Sequence, residues 1–482
     1  MSPRPADKVL LVSIDNLRSD CVGAHPSRDA LRRFAVDEPE TPTLDAVIAS
    51  GTTFRQCFSA APYTTSSHAS ILTGAMPARH GIREYYRTGL SSAVSTLFEL
   101  FKRRGYTTVL ATDFPVLLGP ILGFSRSVDH YVVEDDAAVE ALLSALRGPV
   151  FCFWHFGGVH NPFGLTSPAV DGPFFQAEVE RVAAMAGIPE QIDAEPEWLD
   201  KERDVRERLL RQRYIRATDA MYAQGRYDDL MQLFVDGVGH FDRRRFAGAV
   251  AALERVGWWR DATMAVVADH GEEYSERAFA HFNGLWDGIV KVPFVLRGPT
   301  VEAGRAIDWV CRTIDVAPTL LDVAGVALHP EEAAALDGSS LAGALAAGRD
   351  PALIATGEST FGFADRIRDF MHACARAKGL LTAPVLSHTR LEYVRTARWK
   401  GLARTDLTTG YRSWSLYDVA ADPTESTDLA GHLPSVVEGL ADHLPVRSAA
   451  APSPDIALGS SEAAALAEAL SDMGYRPGRE WS

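Results

Sequence analysis

The sequence has no Cys-x-x-Cys pair, and its five cysteines, Cys21, Cys57, Cys152, Cys311 and Cys374, are scattered and odd in number. Such spacing offers neither a disulfide framework nor a zinc knuckle, and it fits a reducing compartment. The polar start from Met1 to Lys8 lacks the apolar stretch of a secretion signal, and no apolar run is long enough to cross a bilayer. A basic excess is missing as well: 48 Lys and Arg stand against 63 Asp and Glu, a formal charge of −15. That balance argues against coating nucleic acid, and the run Arg243-Arg244-Arg245 then reads as a solvated helix face. No internal repeat or long low-complexity tract interrupts the chain. The absences together lead us to expect a soluble, cytoplasmic protein with neither a nucleic-acid nor a membrane partner.

What is present suits a large core: 482 residues, 46% of them hydrophobic. Val9–Ile14, Thr107–Ala111, Pro149–Trp154 and Thr263–Ala268 are nearly continuous apolar runs, as expected for strands buried on both faces of a parallel sheet. Helical stretches such as Ser95–Arg103 lie between them. This alternation predicts an α/β fold with a doubly wound, mixed but mostly parallel sheet flanked by helices. Residues 165–235 read as a charged helical insertion over the site. Residues 393–400 and 413–418 alternate like strands of a small antiparallel sheet. The expected division is a catalytic α/β domain over 1–375, a small C-terminal sheet subdomain over 376–447, and a linker with a tail helix over 448–482. That helix, around 460–473, could pack on the body or close a homo-oligomer.

Chemistry in a doubly wound sheet gathers beyond the carboxyl ends of its strands, and Asp15, His155 and Asp269 each follow an expected strand. Pro62-Tyr63-Thr64-Thr65-Ser66-Ser67-His68 reads as a strand-to-helix corner presenting the Thr64 hydroxyl at a helix N-terminus, where free N–H groups favour an anion. Asp15, Asn16, Thr64, Asp269 and His270 together make a mixed O/N ligand set for one divalent cation, Zn or Mn favoured, with Ca or Mg also suited. Such a cation would lower the pKa of the threonine hydroxyl. Singly each residue is unspecific, since an Asp after a strand is commonly a cap or turn residue and Thr64 could be only an N-cap.

The order of these segments resembles the sulfatase family of the alkaline phosphatase superfamily, nearly end to end. Asp15-Asn16-Leu17-Arg18-Ser19-Asp20 resembles the family's opening Asp-Asp-x-Arg-x-Asp. Thr41-Pro42-Thr43-Leu44-Asp45 resembles its Thr-Pro-Asn-Leu-Asp segment, and Ala268-Asp269-His270-Gly271-Glu272 its Ser-Asp-His-Gly-Glu block. Lys291-Val292-Pro293-Phe294, Leu416-Tyr417-Asp418 and Asp422-Pro423-Thr424-Glu425 resemble later signatures. The resemblance implies an alkaline-phosphatase-like fold and a small anionic ester substrate. It also makes His160 and His281 catalytic candidates that bind or protonate the substrate; Asn16, His68 and His155 are expected beside them as substrate contacts.

Where the family has a Cys or Ser that becomes formylglycine, this chain has Thr64, which cannot become that aldehyde. His68 replaces the corner arginine, and residues 111–116 lack the family's Lys and His. The expected reaction is therefore hydrolysis of phosphate mono- or diesters or phosphonate esters through a covalent Thr64 intermediate, without formylglycine. Two other readings stay open: a transferase moving a phosphoryl, sulfuryl or sulfamoyl group between small molecules, and a sulfatase-like binding protein without catalysis.

Overall fold

The computed structural model describes residues 5–24, 30–83, 87–164, 172–188, 203–281, 284–360 and 389–444, with single positions between 456 and 467. Among these, eight strands form the main sheet: β1 (Lys8–Ile14), β2 (Thr52–Phe58), β3 (Thr107–Thr112), β4 (His130–Val133), β5 (Val150–Phe156), β6 (Thr263–Val267), β9 (Lys291–Arg297) and β10 (Arg305–Arg312). A short β7–β8 hairpin (Glu273–Tyr274 and Phe279–Ala280) lies beside it. The strand order is β10-β2-β9-β6-β1-β5-β3-β4. All pairings are parallel except those of β9 with β2 and β6. The mixed, mostly parallel sheet expected from the apolar runs is thus present. Its central strands are buried on both faces, Val9, Leu10, Leu11 and Ile14 being wholly inaccessible, which is why they read as unbroken hydrophobic runs.

The strand boundaries decide where the chemistry sits. β1 and β6 end just before Asp15 and Asp269, so both carboxylates leave neighbouring strands at the same sheet edge. His155 lies inside β5, opposite Ser13, rather than after the strand as the sequence suggested. The Ser95–Arg103 expectation appears as a helix over Leu97–Lys102, with Thr96 and Glu99 closing a reciprocal capping box.

The insertion is helical where it is described, over Gly172–Met185, Arg203–Ala223 and Tyr227–Phe241. It continues past the expected limit of 235; residues 165–171 and 189–202 fall outside the described part. The basic run is only partly solvated. Arg243 and Arg244 are exposed, but a widened π-type turn over Asp242–Phe246 rotates Arg245 inward. There its guanidinium pairs with Asp113 and Asp136 and lies over the Phe156 ring. Three consecutive helical residues cannot share one face, so one arginine of the run was free to turn toward a buried acid.

A second sheet, antiparallel throughout, has the order β11-β12-β13-β14: β11 (Ala355–Thr360), β12 (Thr389–Arg395), β13 (Trp399–Asp406) and β14 (Arg412–Asp418). It takes its first strand from residues before 376, and a turn at 396–398 splits the alternating 393–400 run into two strands. Residues 361–388, the linker and most of the tail helix lie outside the described part.

Buried charges dock this sheet on the main one. Lys400 Nζ lies 2.7 Å from Asp287 Oδ1 and 2.6 Å from Glu425 Oε1. The Asp287 amide donates to Glu425 Oε2 at 2.8 Å, and Tyr393 Oη donates to the Ser59 carbonyl at 2.6 Å. The Asp-Pro-Thr-Glu signature is therefore a clamp. Lys400→Met is expected to destabilise the protein by about 3 kcal/mol, because it removes the cation that two buried carboxylates share and leaves Asp287 to Arg395 at 3.4 Å and Glu425 to Arg277 at 3.8 Å. Urea unfolding checks this, and a loss below about 1 kcal/mol would mean the ion pairs are dispensable.

Candidate active site

The corner helix, Thr64–Thr73, is buried along its whole length. Gly74 closes it in the left-handed conformation (φ 64°), where glycine carries no Cβ penalty. At the other end Tyr63 is extended and supplies no side-chain cap, so its side chain does not compete for the first-turn amides that can receive an anion. Two neighbouring hydroxyls are committed, Ser66 Oγ donating to the Ile82 carbonyl at 2.8 Å and Ser67 Oγ to the Asp269 carbonyl at 2.7 Å, while Thr65 Oγ1 is buried with no hydrogen-bond partner among the described residues. Thr64 Oγ1 instead faces His270 Nε2 at 3.4 Å.

Asp15, Asn16, Thr64, Asp269 and His270, named together from the sequence, converge in one buried cluster. Asn16 adopts a left-handed conformation (φ 68°) that asparagine tolerates, and its amide donates to Asp269 Oδ1 at 3.0 Å. The His270 amide donates to the same oxygen at 2.8 Å. The other Asp269 oxygen, Oδ2, accepts no hydrogen bond among the described residues, nor do Asp15 Oδ1 and Asn16 Oδ1, though all are buried.

His270 Nδ1 lies 3.0 Å from the Gly271 carbonyl. A carbonyl only accepts, so that nitrogen carries the proton of the neutral ring and the Nε2 lone pair points into the cluster. Nε2 is 3.3 Å from Asp269 Oδ2 and 3.9 Å from Asp15 Oδ1. A lone pair set against carboxylate oxygens with no donor between them is costly. A divalent cation removes the cost, since ligands about 2.1 Å from one ion stand roughly 3.0–3.5 Å apart. The residues therefore fit a metal. Mutual repulsion shows in the carboxylates too: burial and the charge of Asp15 push Asp269 up to about 7. Asp15 is held well below the usual carboxylate range, because the hydrogen bond from His155 and the nearby imidazoles outweigh its burial.

His160 and His281 arrive at this cluster from different loops. The His281 ring centroid is 4.4 Å from that of His270 and 5.9 Å from that of His160, and both candidates are buried. Burial and the two neighbouring imidazoles press the His281 pKa well down. Sequence reasoning gave Glu272 no role, yet it belongs here: Oε2 accepts from Asn16 Nδ2, and Oε1 lies 3.5 Å from His281 Nδ1. Burial pushes Glu272 up to about 7. Its signal was available, an acid directly after Asp-His-Gly. Arg18 was quoted without a role and proves structural, forked onto Asp20 and donating to the Glu272 carbonyl at 2.8 Å.

His68 and His155 adjoin the cluster through hydrogen bonds within the protein. His155 Nε2 is 3.2 Å from Asp15 Oδ2 and Nδ1 is 3.1 Å from Thr112 Oγ1. His68 Nε2 is 2.8 Å from Ser13 Oγ and Nδ1 is 2.8 Å from the Thr64 carbonyl. With Asp15 they form a second grouping whose ligand atoms lie within 4.8 Å of each other. Their ring nitrogens are already used within the protein, however, which departs from the expectation of substrate contact and suits support better than ligation. Burial and the nearby His155 press the His68 pKa to about 3. In the segment that lacks Lys and His, Asp113 accepts from the Gly157 amide at 2.7 Å and pairs with Arg245. It faces structure, not substrate. Among the described residues no lysine or arginine ion-pairs with the side chains of Asp15, Asp269 or Glu272; imidazoles face them instead.

Comparison with known proteins supports the fold and the family. Residues 7–118 and 126–326 match the family model described as Sulfatase. The chain is 23% identical over 362 residues to a Δ4,5-hexuronate-2-O-sulfatase of Bacteroides thetaiotaomicron, covering 67% of this chain and 69% of that protein. A structure in complex with its substrate D-glucosamine-2-N,6-O-disulfate superposes with a TM-score of 0.63 at 16% identity, covering 91% of this chain and 96% of the other. The phosphonate monoester hydrolase of Agrobacterium radiobacter superposes with a TM-score of 0.60 at 20% identity, covering 91% and 94%.

Proposed function

The chain belongs to the sulfatase family, and from that premise we propose that it is an esterase whose nucleophile is Thr64, acting on monoanionic phosphorus esters: phosphate diesters or phosphonate monoesters. The observation that carries this reading is the Thr64 hydroxyl at an uncapped helix start, 3.4 Å from the His270 nitrogen and beside carboxylate oxygens that accept no hydrogen bond. A divalent cation held by Asp15, Asn16, Asp269 and His270 would lower the pKa of that hydroxyl and offset charge on the substrate.

The chain's own groups supply the rest. Thr64 Oγ1 attacks phosphorus, its proton passing to solvent water, as the bond to the leaving oxygen breaks. His160 gives that oxygen a proton, or His281 does once the bound anion offsets the burial and neighbouring imidazoles that press its pKa down. Water then attacks the phosphorus of the Thr64 ester, expelling the threonine oxygen and restoring the hydroxyl. Phosphorus is preferred to sulfur because a phospho-threonine can be cleaved at phosphorus by water, whereas a sulfo-threonine lacks the escape route of an aldehyde hydrate. Among the described residues no lysine or arginine ion-pairs with Asp15 or Asp269, and that favours a monoanion over a dianionic monoester.

The test is turnover of bis-p-nitrophenyl phosphate, p-nitrophenyl phenylphosphonate, p-nitrophenyl phosphate and p-nitrophenyl sulfate, each with added Zn, Mn, Mg or Ca. Fastest release from the first two supports the reading, and release confined to the sulfate ester overturns it. Product appearing only when an alcohol acceptor is added would make the protein a transferase. His281→Ala is expected to slow esters of poor leaving groups about 100-fold while hardly slowing p-nitrophenyl esters, as general-acid loss does. An equal loss across leaving groups would remove the acid role from His281.

A further inference from the structure

His68 occupies a built position in the strand-to-helix corner. It sits four residues after Thr64, and its Nδ1 lies 2.8 Å from the Thr64 carbonyl, the acceptor that the helix uses for its own i+4 amide. Because a carbonyl cannot donate, Nδ1 must carry the ring proton. Nε2 is then an acceptor, and Ser13 Oγ stands 2.8 Å away to donate to it. Ser13 lies in β1, two residues before Asp15, and both Ser13 and His68 are wholly buried. The ring also passes 3.4 Å from Asp269 Oδ2 and packs edge-on against His155 at 4.9 Å.

We propose that the Ser13–His68 pair is a positioning device that ties the first turn carrying Thr64 to the strand carrying Asp15, setting the hydroxyl at the cation site. The inference rests on the reading of Thr64 as nucleophile. Strand and helix are far apart in sequence, and 55 residues separate Ser13 from His68. The hydroxyl of Ser13 selects the tautomer, and the tautomer makes His68 a donor to Thr64. Neither residue touches the reacting atoms.

The test joins spectroscopy to kinetics. Long-range 1H–15N spectra of protein labelled at histidine are expected to show His68 as the Nδ1–H tautomer, a state weakened in Ser13→Ala. With p-nitrophenyl phenylphosphonate, His68→Ala is expected to lower kcat about 10–100-fold, the cost typical of removing an orienting partner, with KM and bound metal little changed. Ser13→Ala, which keeps the ring and is the variant that carries the test if His68→Ala does not fold, is expected to lower kcat several-fold. The double variant should be no worse than His68→Ala alone. An Nε2–H tautomer, an effect confined to KM, or fully additive losses would overturn the proposal. A wild-type protein inert toward every phosphorus ester would instead count against the Thr64 reading, and the imidazole spectrum would still judge the tie.

Discussion

Thr64→Ala is expected to abolish turnover, lowering kcat by about 10⁴-fold or more, the scale on which removing a covalent nucleophile acts. The fold should survive, because the corner helix is held by its buried length, by the Ser66 and Ser67 hydrogen bonds and by the Gly74 cap, none of which uses the Thr64 hydroxyl. Metal content should fall little, since Asp15, Asn16, Asp269 and His270 remain. Thr64→Ser keeps the hydroxyl and should retain activity within about tenfold, the difference reflecting the rotamer freedom that the β-branched side chain lacks. Acid-quenched wild type mixed with p-nitrophenyl phenylphosphonate should carry the phosphonyl mass on Thr64, and Thr64→Ala should carry none. An alanine variant that turns over at the wild-type rate would transfer the nucleophile to another group.

The readability of this chain followed from what each residue has to satisfy. The strands ending at Asp15 and Asp269 were visible because they are buried on both faces and so are written as apolar runs. Thr64 stood out because a corner of hydroxyl residues before a helix has a small set of uses. His155 was misplaced because the strand continues through it: a buried imidazole can be paired by Asp15 and Thr112, and local sequence cannot show partners 140 and 43 residues away. Arg245 was hidden for the same reason, its acids lying 132 and 109 residues off. The Ser13–His68 contact was equally invisible, since 55 residues separate the two and the expectation for His68 was substrate contact. Glu272 shows the opposite failure: its motif was seen, but an acid beside a candidate ligand pair gives no hint of whether it faces solvent or an imidazole.

Asp269→Asn is expected to cost more than about 100-fold in affinity for a divalent ion, beyond what loss of an orienting partner costs. The substitution keeps an oxygen to accept the Asn16 and His270 amides, at 3.0 and 2.8 Å in the native protein. The backbone at the end of β6 should therefore hold its shape. The other atom of the group changes from a bare carboxylate oxygen to an N–H donor, aimed where Asp15 Oδ1 and His270 Nε2 converge. That donor repels a cation but suits an empty cluster, because it relieves the repulsion that, with burial, pushes Asp269 up to about 7. The signs should therefore cross. With EDTA present, Asp269→Asn should unfold at a higher temperature than wild type. With saturating metal the order should reverse, since a ligand that binds only the folded state adds about 2.7 kcal/mol at 100 times its Kd. Thermal scans with and without metal, with elemental analysis of bound ions, read both halves. The same melting order under the two conditions would mean that Asp269 is not a ligand and that its buried charge is balanced by something other than a cation.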